Sequence, residues 1–212
     1  MHGTNFFVYS QYSLRGTLNF VFSESLLNMD QTISDEEILR QFSNEAEKEK
    51  AFTLLVHRDQ KRIYYFIRRM VIDHDDANDL TQDVFIKVWN HLSSFKGESA
   101  IIHWIYKIAV NHTYTFLEKK KKKFTWSSLD DENELVNKLH AGKYIDGDAI
   151  QMKLQEGILT LPPKQRIVFQ LRYFDEIAYE EMSKMLGTST GALKASYHKA
   201  AEKIEAFMIR NQ

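Results

Sequence analysis

One predicted helix carries aromatic rings, a cation and an amide on a single face, a combination that binds single-stranded nucleic acid. Its apolar residues recur at helical spacing from about Ser99 to Lys120, which predicts one buried face. The opposite face carries His103, Trp104, Lys107, Asn111 and Tyr114. Bases stack on rings, phosphates pair with lysine, and amides hydrogen-bond base edges. A solvated face with a basic end would explain any one of these residues, whereas the whole set favours single-stranded nucleic acid.

The same helix has an inward face and a strongly basic end. The inward residues are Ile101, Ile105, Ile108, Ala109 and Phe116. His112 also falls on this side, where a hydrogen-bonded core histidine is the simplest expectation. The run of lysines from Lys119 to Lys123 extends the positive charge past the predicted helix end.

The helix before it, across a loop from Ser93 to Ser99, carries a second polar face. We predict this helix from about Asp75 to Leu92, capped by Asp75 or Asp76 at an acidic start. The polar face holds Asp79, Gln82, Asp83, Ile86 and Asn90. An isoleucine in the middle of a polar stripe indicates that another surface covers it.

Shorter signals place the helices that must support this pair. Ser34 followed by Glu37 fits a capping box and predicts a helix through Phe42. Two separate helices are predicted next, over Ala46–Val56 and Gln60–Met70.

The C-terminal part of the chain predicts a helix-turn-helix. The predicted helices are Ala149–Thr160, with Ile150, Leu154 and Ile158 on one face, then Lys164–Phe174, Tyr179–Leu186 and Thr190–Ile209. Gly187 suits a left-handed helix end, and Ser189 suits the cap of the last helix. A short helix, a glycine turn and a long polar-faced helix form the pattern that places a helix in the DNA major groove.

Composition and charge limit the possible classes of protein. The chain has 212 residues and no cysteine, which excludes disulfides, cysteine-ligated zinc and a thiol nucleophile. Its net charge is −1, whereas a protein that holds duplex DNA by its overall electrostatic field is usually more basic. DNA contact would therefore need local basic patches or a partner. No apolar run reaches the length of a membrane helix. We therefore expect an all-α cytoplasmic protein that is not itself a membrane protein.

Two sets of motifs resemble known conserved regions of one family. The segments DDANDLTQDVFIKVW from Asp75, SFKGES from Ser94 and WIYKIAVN from Trp104 resemble the second conserved region of bacterial sigma-70 family factors. The segments LPPKQR from Leu161, YEEM from Tyr179, LGTS from Leu186 and GALK from Gly191 resemble the fourth region. Both are most similar to the compact extracytoplasmic-function (ECF) group.

The resemblance implies an organisation into two small helical domains. Residues 29–124 would form region 2, residues 125–148 a flexible acidic linker with a helical turn at Asn133–Leu139, and residues 149–212 the helix-turn-helix of region 4. Residues 1–28 differ in composition, and Met29 precedes the first sigma-like residue. We expect Met29 to be the true start and residues 1–28 to be an artefact of start-site choice; the alternative is a disordered extension with its own role.

The resemblance also implies partners and residue roles. A factor of this family catalyses no reaction and would need no cofactor or metal. Core RNA polymerase would dock on Asp79, Gln82, Asp83 and Ile86. The minus-ten promoter element would be read by Phe95, His103, Trp104, Lys107 and Asn111, with Phe95 and Asn111 lining the pocket of a flipped base. The minus-thirty-five element would be read by Lys194, Ala195, His198 and Lys199. Many members of the group are held inactive by an anti-sigma factor, often membrane-bound.

The chain departs from the family pattern at a few of these positions. His103 stands where threonine is commoner, which puts the minus-ten preference in doubt. Lys194 and Lys199 stand where several relatives carry arginine, and lysine lacks the bidentate fork that reads guanine. Ala178 replaces a frequent serine cap, a loss of about 1 kcal/mol in helix stability.

Other classes of protein remain as alternatives. A free-standing helix-turn-helix regulator explains residues 188–203 but not the aromatic face around Trp104. A metal-dependent hydrolase is opposed by the absence of an HExxH pair among eight histidines. The acidic start Asp73–Asp76 fails as a calcium loop, because Asn78 replaces its glycine and Val84 its glutamate. A sigma relative that binds polymerase but has lost promoter activity also fits the sequence.

Overall fold

The computed structural model describes residues 33–124, 135–137, 139 and 149–210, and these ranges contain helices and no strand. Residues 1–28 and most of the predicted linker lie outside them. The helices are α1 (Asp35–Phe42), α2 (Lys48–Val71), α3 (His74–His91), α4 (Ile101–Phe124), α5 (Ala149–Leu159), α6 (Pro163–Tyr173), α7 (Tyr179–Leu186) and α8 (Thr190–Arg210), with a 3-10 turn at Leu92–Ser94. We call residues 33–124 the N-terminal unit and residues 149–210 the C-terminal unit.

Helix α2 corrects the predicted pair of helices, since Lys48–Val71 is continuous. The polar residues 57–59, where a break was predicted, are part of the helix and do not form a turn. Arg58 pairs with Asp59 at 2.9 Å and with Asp35 of α1 at 2.8 Å. Because this region contains no glycine or proline, nothing in the backbone ends the helix before Ile72, where φ is +66°.

Helix α3 begins at His74, one residue earlier than predicted, and its N-cap is Asp73 instead of Asp75 or Asp76. The Asp73 carboxylate accepts hydrogen bonds from the backbone N–H groups of Asp75 and Asp76, both at 3.0 Å. The prediction failed because several acids in a row could each serve as the cap. The capping prediction at Ser34 is confirmed, since its hydroxyl accepts from the Glu37 N–H at 3.2 Å.

The C-terminal unit follows the predicted helices closely. Gly187 has φ of +61° and ends α7 as predicted, and the Ser189 hydroxyl accepts from the Ala192 N–H at 3.3 Å at the start of α8. Ala178 provides no side-chain cap to α7, also as predicted. Ile150, which was predicted to share one face with Leu154 and Ile158, is 62% exposed, because it lies in the first turn of α5, ahead of the packed residues.

The predicted linker is helical where the structure describes it. Residues 135–137 and 139 have helical backbone, in agreement with the predicted helical turn. Leu139 is fully buried in a small cluster with Ile72 of the N-terminal unit and Leu159 of α5. The described part of the linker is therefore packed, which differs from a uniformly flexible tether.

The two units pack against each other. One core cluster includes Ile105 and Tyr106 of α4 together with Leu171, Met182 and Met185 of the C-terminal unit. The packing brings α7 against α4 and α6 against α2. This contact between units is the feature of the fold that most affects the candidate site.

Candidate nucleic-acid interface

The loop before α4 and the first turns of α4 form a half-open cavity of about 320 Å³. Gly97 allows the chain to turn there, with φ of +71°. The rings of Phe95 and Trp104 lie in the cavity wall with centroids 5.3 Å apart and planes tilted by 50°. Two adjacent rings in the wall of a cavity provide flat apolar surfaces on which an unstacked base can pack.

The structure brings four of the five predicted minus-ten residues together in this cavity. These four are Phe95, His103, Trp104 and Lys107. The fifth, Asn111, is exposed one turn further along α4 and does not line the cavity. Lys96 lines the cavity as well and was missed, although its position beside Phe95 in the SFKGES segment could have indicated it.

The other side of this half-open cavity is lined by the C-terminal unit. Glu181, Lys184 and Met185 of α7 line it. Glu181 Oε2 lies 3.3 Å from Nδ1 of His103 and Glu181 Oε1 accepts a hydrogen bond from Lys184 at 2.7 Å. Lys184 and then His103 lower the pKa of Glu181, so its carboxylate is ionised at neutral pH. No local pattern in the sequence indicated that α7 would cover this surface.

The predicted groove-reading face of α8 is open in the structure. Lys194, Ala195, His198 and Lys199 are all exposed and share one side of the helix. Leu193, Ala200 and Ile204 are buried on the other side. The ring of Tyr179 lies near two cations, the Lys194 ammonium at 5.7 Å and the Arg172 guanidinium at 5.1 Å from its centroid, both within the range of a cation–π contact.

The predicted docking face of α3 is also accessible. Asp79 is exposed, and Gln82, Asp83 and Ile86 are half-buried. Ile86 packs against the chain's own core cluster, which accounts for part of its cover without any partner. Asp83 is held from α4, since His112 Nε2 lies 3.3 Å from its carboxylate and the Lys87 ammonium donates to His112 Nδ1 at 2.8 Å. With Nδ1 accepting, His112 carries its proton on Nε2 and donates to Asp83.

His112 was predicted to be a core histidine, and the structure corrects this. Its side chain is 21% exposed and lies at the seam between α3 and α4. Periodicity placed it on the inward side but could not show that the seam opens to solvent there. Within the described residues, no group of three metal-ligating side chains comes together, and no helix is long and apolar enough to cross a membrane.

The comparisons with known proteins match both units. A family model described as sigma-70 region 2 matches residues 55–123, and one described as sigma-70, region 4 matches residues 151–204. The ECF RNA polymerase sigma-E factor of Escherichia coli is 32% identical over 165 residues, covering 74% of this chain and 86% of the relative. The chain belongs to the sigma-70 family, in its ECF group. It is a promoter-recognition factor of RNA polymerase.

Other relatives of this sigma factor agree in sequence and in fold. The RNA polymerase sigma-H factor of Pseudomonas aeruginosa is 30% identical over 164 residues, covering 74% of this chain and 85% of the relative. Among solved structures, the sigma factor RpoE of Bartonella quintana, in complex with the anti-sigma factor NepR, has a TM-score of 0.61 at 19% identity, covering 77% of this chain and 99% of that chain. CnrH in complex with the cytosolic domain of CnrY has a TM-score of 0.60 at 19% identity, covering 84% of this chain and 99% of that chain.

Proposed function

We propose that this sigma factor divides promoter recognition among three surfaces. The face of α3 around Asp79 and Asp83 docks on core RNA polymerase. The cavity around Phe95 and Trp104 traps the opened minus-ten element, and the exposed face of α8 reads the minus-thirty-five element in the major groove. The observation that carries the proposal is the ring pair of Phe95 and Trp104, set beside the cations of the same cavity.

The ring pair offers a source of free energy for opening DNA. Separating a duplex costs about 1.4 kcal/mol per base-pair step in lost stacking. Each base that stacks on an aromatic side chain contributes about 1–3 kcal/mol. A cavity that holds one or two unstacked bases therefore offsets a substantial part of the cost of opening a short element. His103 and Lys107 lie within reach of the same strand.

The partners follow from this division of labour. Core RNA polymerase and promoter DNA are the two obligatory partners, and the factor acts in the cytoplasm without a bond-making activity of its own. An anti-sigma factor is a third partner, supported by the solved neighbours that are bound to NepR and to the cytosolic domain of CnrY. Whether that partner is anchored in a membrane depends on its own sequence.

Transcription in vitro tests the proposal. Core RNA polymerase is incubated with fragmented genomic DNA, with and without this protein, and RNA starts are mapped by sequencing. New starts that share two upstream elements are expected, and they should be lost with Trp104→Ala. Stable association with core but no new starts would show a relative without promoter activity. Binding to duplex DNA in the absence of any association with core would favour the free-standing regulator.

A further inference from the structure

We propose that α1 is a functional part of the minus-ten surface, with Asp35 as a positioning residue that fixes the start of α4 and thereby sets how Phe95 and Trp104 face each other. This inference rests on the function proposed for the cavity. It adds a helix that the region 2 family model does not cover, since that model matches residues 55–123 and α1 ends at Phe42. Asp35 does not line the cavity and would act through α4.

The first observation is that α4 takes a cap from another helix. The residue before α4 is Ala100, whose methyl group cannot accept a hydrogen bond, and the Ser99 hydroxyl is directed to the Ala100 carbonyl at 3.3 Å. The first N–H groups of a helix have no partner within that helix. Oδ2 of Asp35 accepts from the N–H of Ile101 at 2.7 Å, and Ile101 is fully buried. The start of α4 is therefore completed by α1.

The second observation is that Arg58 of α2 holds the capping carboxylate in place. Nη2 of Arg58 lies 2.8 Å from Oδ1 of Asp35, the oxygen that does not contact Ile101. Nη1 of Arg58 donates to the carbonyl of Ile33, just ahead of α1, at 2.9 Å. The same guanidinium makes a two-point contact with buried Asp59, at 3.0 and 2.9 Å. Because a two-point pair keeps a guanidinium in one orientation, both oxygens of Asp35 are fixed.

The third observation is that α1 also contacts the other end of the loop before α4. It packs against the 3-10 turn Leu92–Ser94, in which the N–H of Phe95 bonds to the carbonyl of Leu92 at 3.1 Å. Between this turn and Ile101 the chain bends through Gly97 and forms no helix. One helix therefore contacts both ends of the loop that carries Phe95.

The geometry of the ring pair depends on these two contacts. Phe95 directly follows the 3-10 turn, and Trp104 lies in the first turn of α4, where its N–H bonds to the carbonyl of Ala100 at 3.3 Å. A shift at either end of the loop would move one ring relative to the other, from a centroid separation of 5.3 Å. Binding sites lose function when their side chains are loosened by about 1 Å. Asp35 therefore has a position from which it can control base stacking without contacting DNA.

The test separates positioning from stability. Holoenzyme, reconstituted from core RNA polymerase and the full chain, is titrated with fluorescent single-stranded oligonucleotides that carry the non-template strand of a promoter mapped by transcription. One oligonucleotide is intact, and the other has an abasic site at the position where that lesion weakens binding most. The ratio of the two dissociation constants measures how strongly the cavity holds a base. Since unfolded protein reduces the active fraction for both oligonucleotides alike, this ratio does not depend on stability.

Four substitutions are compared. Asp35→Ala removes the acceptor from the start of α4, whereas Asp35→Asn keeps an oxygen that can accept from the N–H of Ile101. Asp73→Ala removes the N-cap of α3 and should cost a similar free energy of unfolding, but in a helix that does not carry the ring pair. Trp104→Ala reports on the stacking site itself. Urea unfolding followed by circular dichroism measures the stability of each variant.

We expect the unsubstituted holoenzyme to prefer the intact oligonucleotide by about 5–150-fold. Asp35→Ala should lower this ratio by about five-fold, while Asp35→Asn and Asp73→Ala should keep it within about two-fold of the original. A ratio that stays unchanged in Asp35→Ala, that Asp35→Asn fails to keep, or that Asp73→Ala lowers equally would overturn the positioning role. No preference in the unsubstituted holoenzyme, or a preference that Trp104→Ala leaves intact, would instead overturn the function proposed for the cavity.

Discussion

The carboxylate of Asp35 in α1 accepts a hydrogen bond from the backbone N–H of Ile101, the first residue of α4, at 2.7 Å and across 66 residues of sequence. The same carboxylate pairs with Arg58 of α2 at 2.8 Å. Because an acid at a helix start satisfies free N–H groups and complements the helix dipole, Asp35 serves α4 as a cap supplied from another helix. It fixes the start of the helix that carries Trp104.

Replacing Asp35 should therefore destabilise the protein. We expect Asp35→Ala to lower the free energy of unfolding by about 1–2 kcal/mol, because a cap and an ion pair are both lost. Urea unfolding followed by circular dichroism measures this. The control is Glu36→Ala, an exposed neighbour that should change the free energy by less than about 0.5 kcal/mol. Equal effects of the two substitutions would contradict the capping role.

The ring pair predicts a specific loss of single-strand binding. Trp104→Ala should weaken binding of a single-stranded oligonucleotide, one that carries the non-template strand of a mapped promoter, by about 5–150-fold, since one base loses its stacking partner. Tyr65→Ala removes an aromatic ring that is 48% exposed on α2, away from the cavity, and should have no effect. Equal losses from both substitutions would argue against a defined stacking site.

The face of α8 predicts a change in salt dependence. Lys199→Ala should weaken binding to a duplex with the minus-thirty-five element and reduce the slope of log affinity against log salt by about 1, if the lysine contacts phosphate. Lys203→Ala is a matched control on the same helix, because its ammonium is already held by Gln165 at 3.2 Å. Affinity that falls only on the cognate sequence, with an unchanged slope, would indicate base reading by Lys199 instead.

The hydrogen bond from His112 to Asp83 predicts a positioning role in polymerase docking. His112→Phe keeps a ring at the seam between α3 and α4 but leaves the Asp83 carboxylate without that donor. We expect His112→Phe to lower the affinity for core polymerase, measured in a pull-down or by biolayer interferometry. This loss of affinity should be smaller than the loss caused by Asp83→Asn. Asp75→Asn, an exposed acid at the start of α3, is the control. If His112→Phe binds core normally while Asp83→Asn does not, the carboxylate needs no positioning.

Asp175, a buried acid that pairs with Arg69 of α2 at 3.2 Å, predicts an unusual pH dependence. Burial raises the pKa of Asp175 above its ordinary value, even though Arg69 opposes this rise. The folded protein then holds this proton more tightly than the unfolded chain does, so the stabilising contribution is present below the unfolded pKa and is lost as pH rises through the folded pKa. Unfolding free energies of the protein and of Asp175→Asn, compared from about pH 4 upwards, should shift in favour of the variant as pH rises. A difference that does not change with pH would contradict this.

Glu37 provides a comparison of opposite sign. Hydrogen bonds from Arg40 and Gln41 lower the pKa of Glu37 to about 2. Its contribution to stability is therefore present above the unfolded value of 4.5 and is lost as pH falls towards about 2. Glu37→Gln should remove that acid-side loss while leaving the behaviour assigned to Asp175 unchanged.

Local signals in the sequence predicted local structure correctly. The span of α7, the left-handed end at Gly187 and the caps at Ser34 and Ser189 all follow from residues within one or two helical turns. Helix periodicity and capping depend on such neighbours, so they can be read along the chain. The two sets of motifs indicated the sigma-70 family, because their order and spacing resemble those of regions 2 and 4 of that family.

Only the tertiary structure shows the contacts between residues that are far apart in sequence. No local pattern shows that Asp35 caps α4, that Arg69 reaches Asp175, or that Glu181 faces His103. The continuity of α2 and the exposure of Ile150 also depend on what packs against each helix. The sequence by itself determined the family, most of the helices and several of their caps, and it predicted the surfaces through which this sigma factor would act. Only the packing of its two units decided that α7 lies across the cavity from Trp104 while the predicted face of α8 is open, because burial depends on which parts of the folded chain meet.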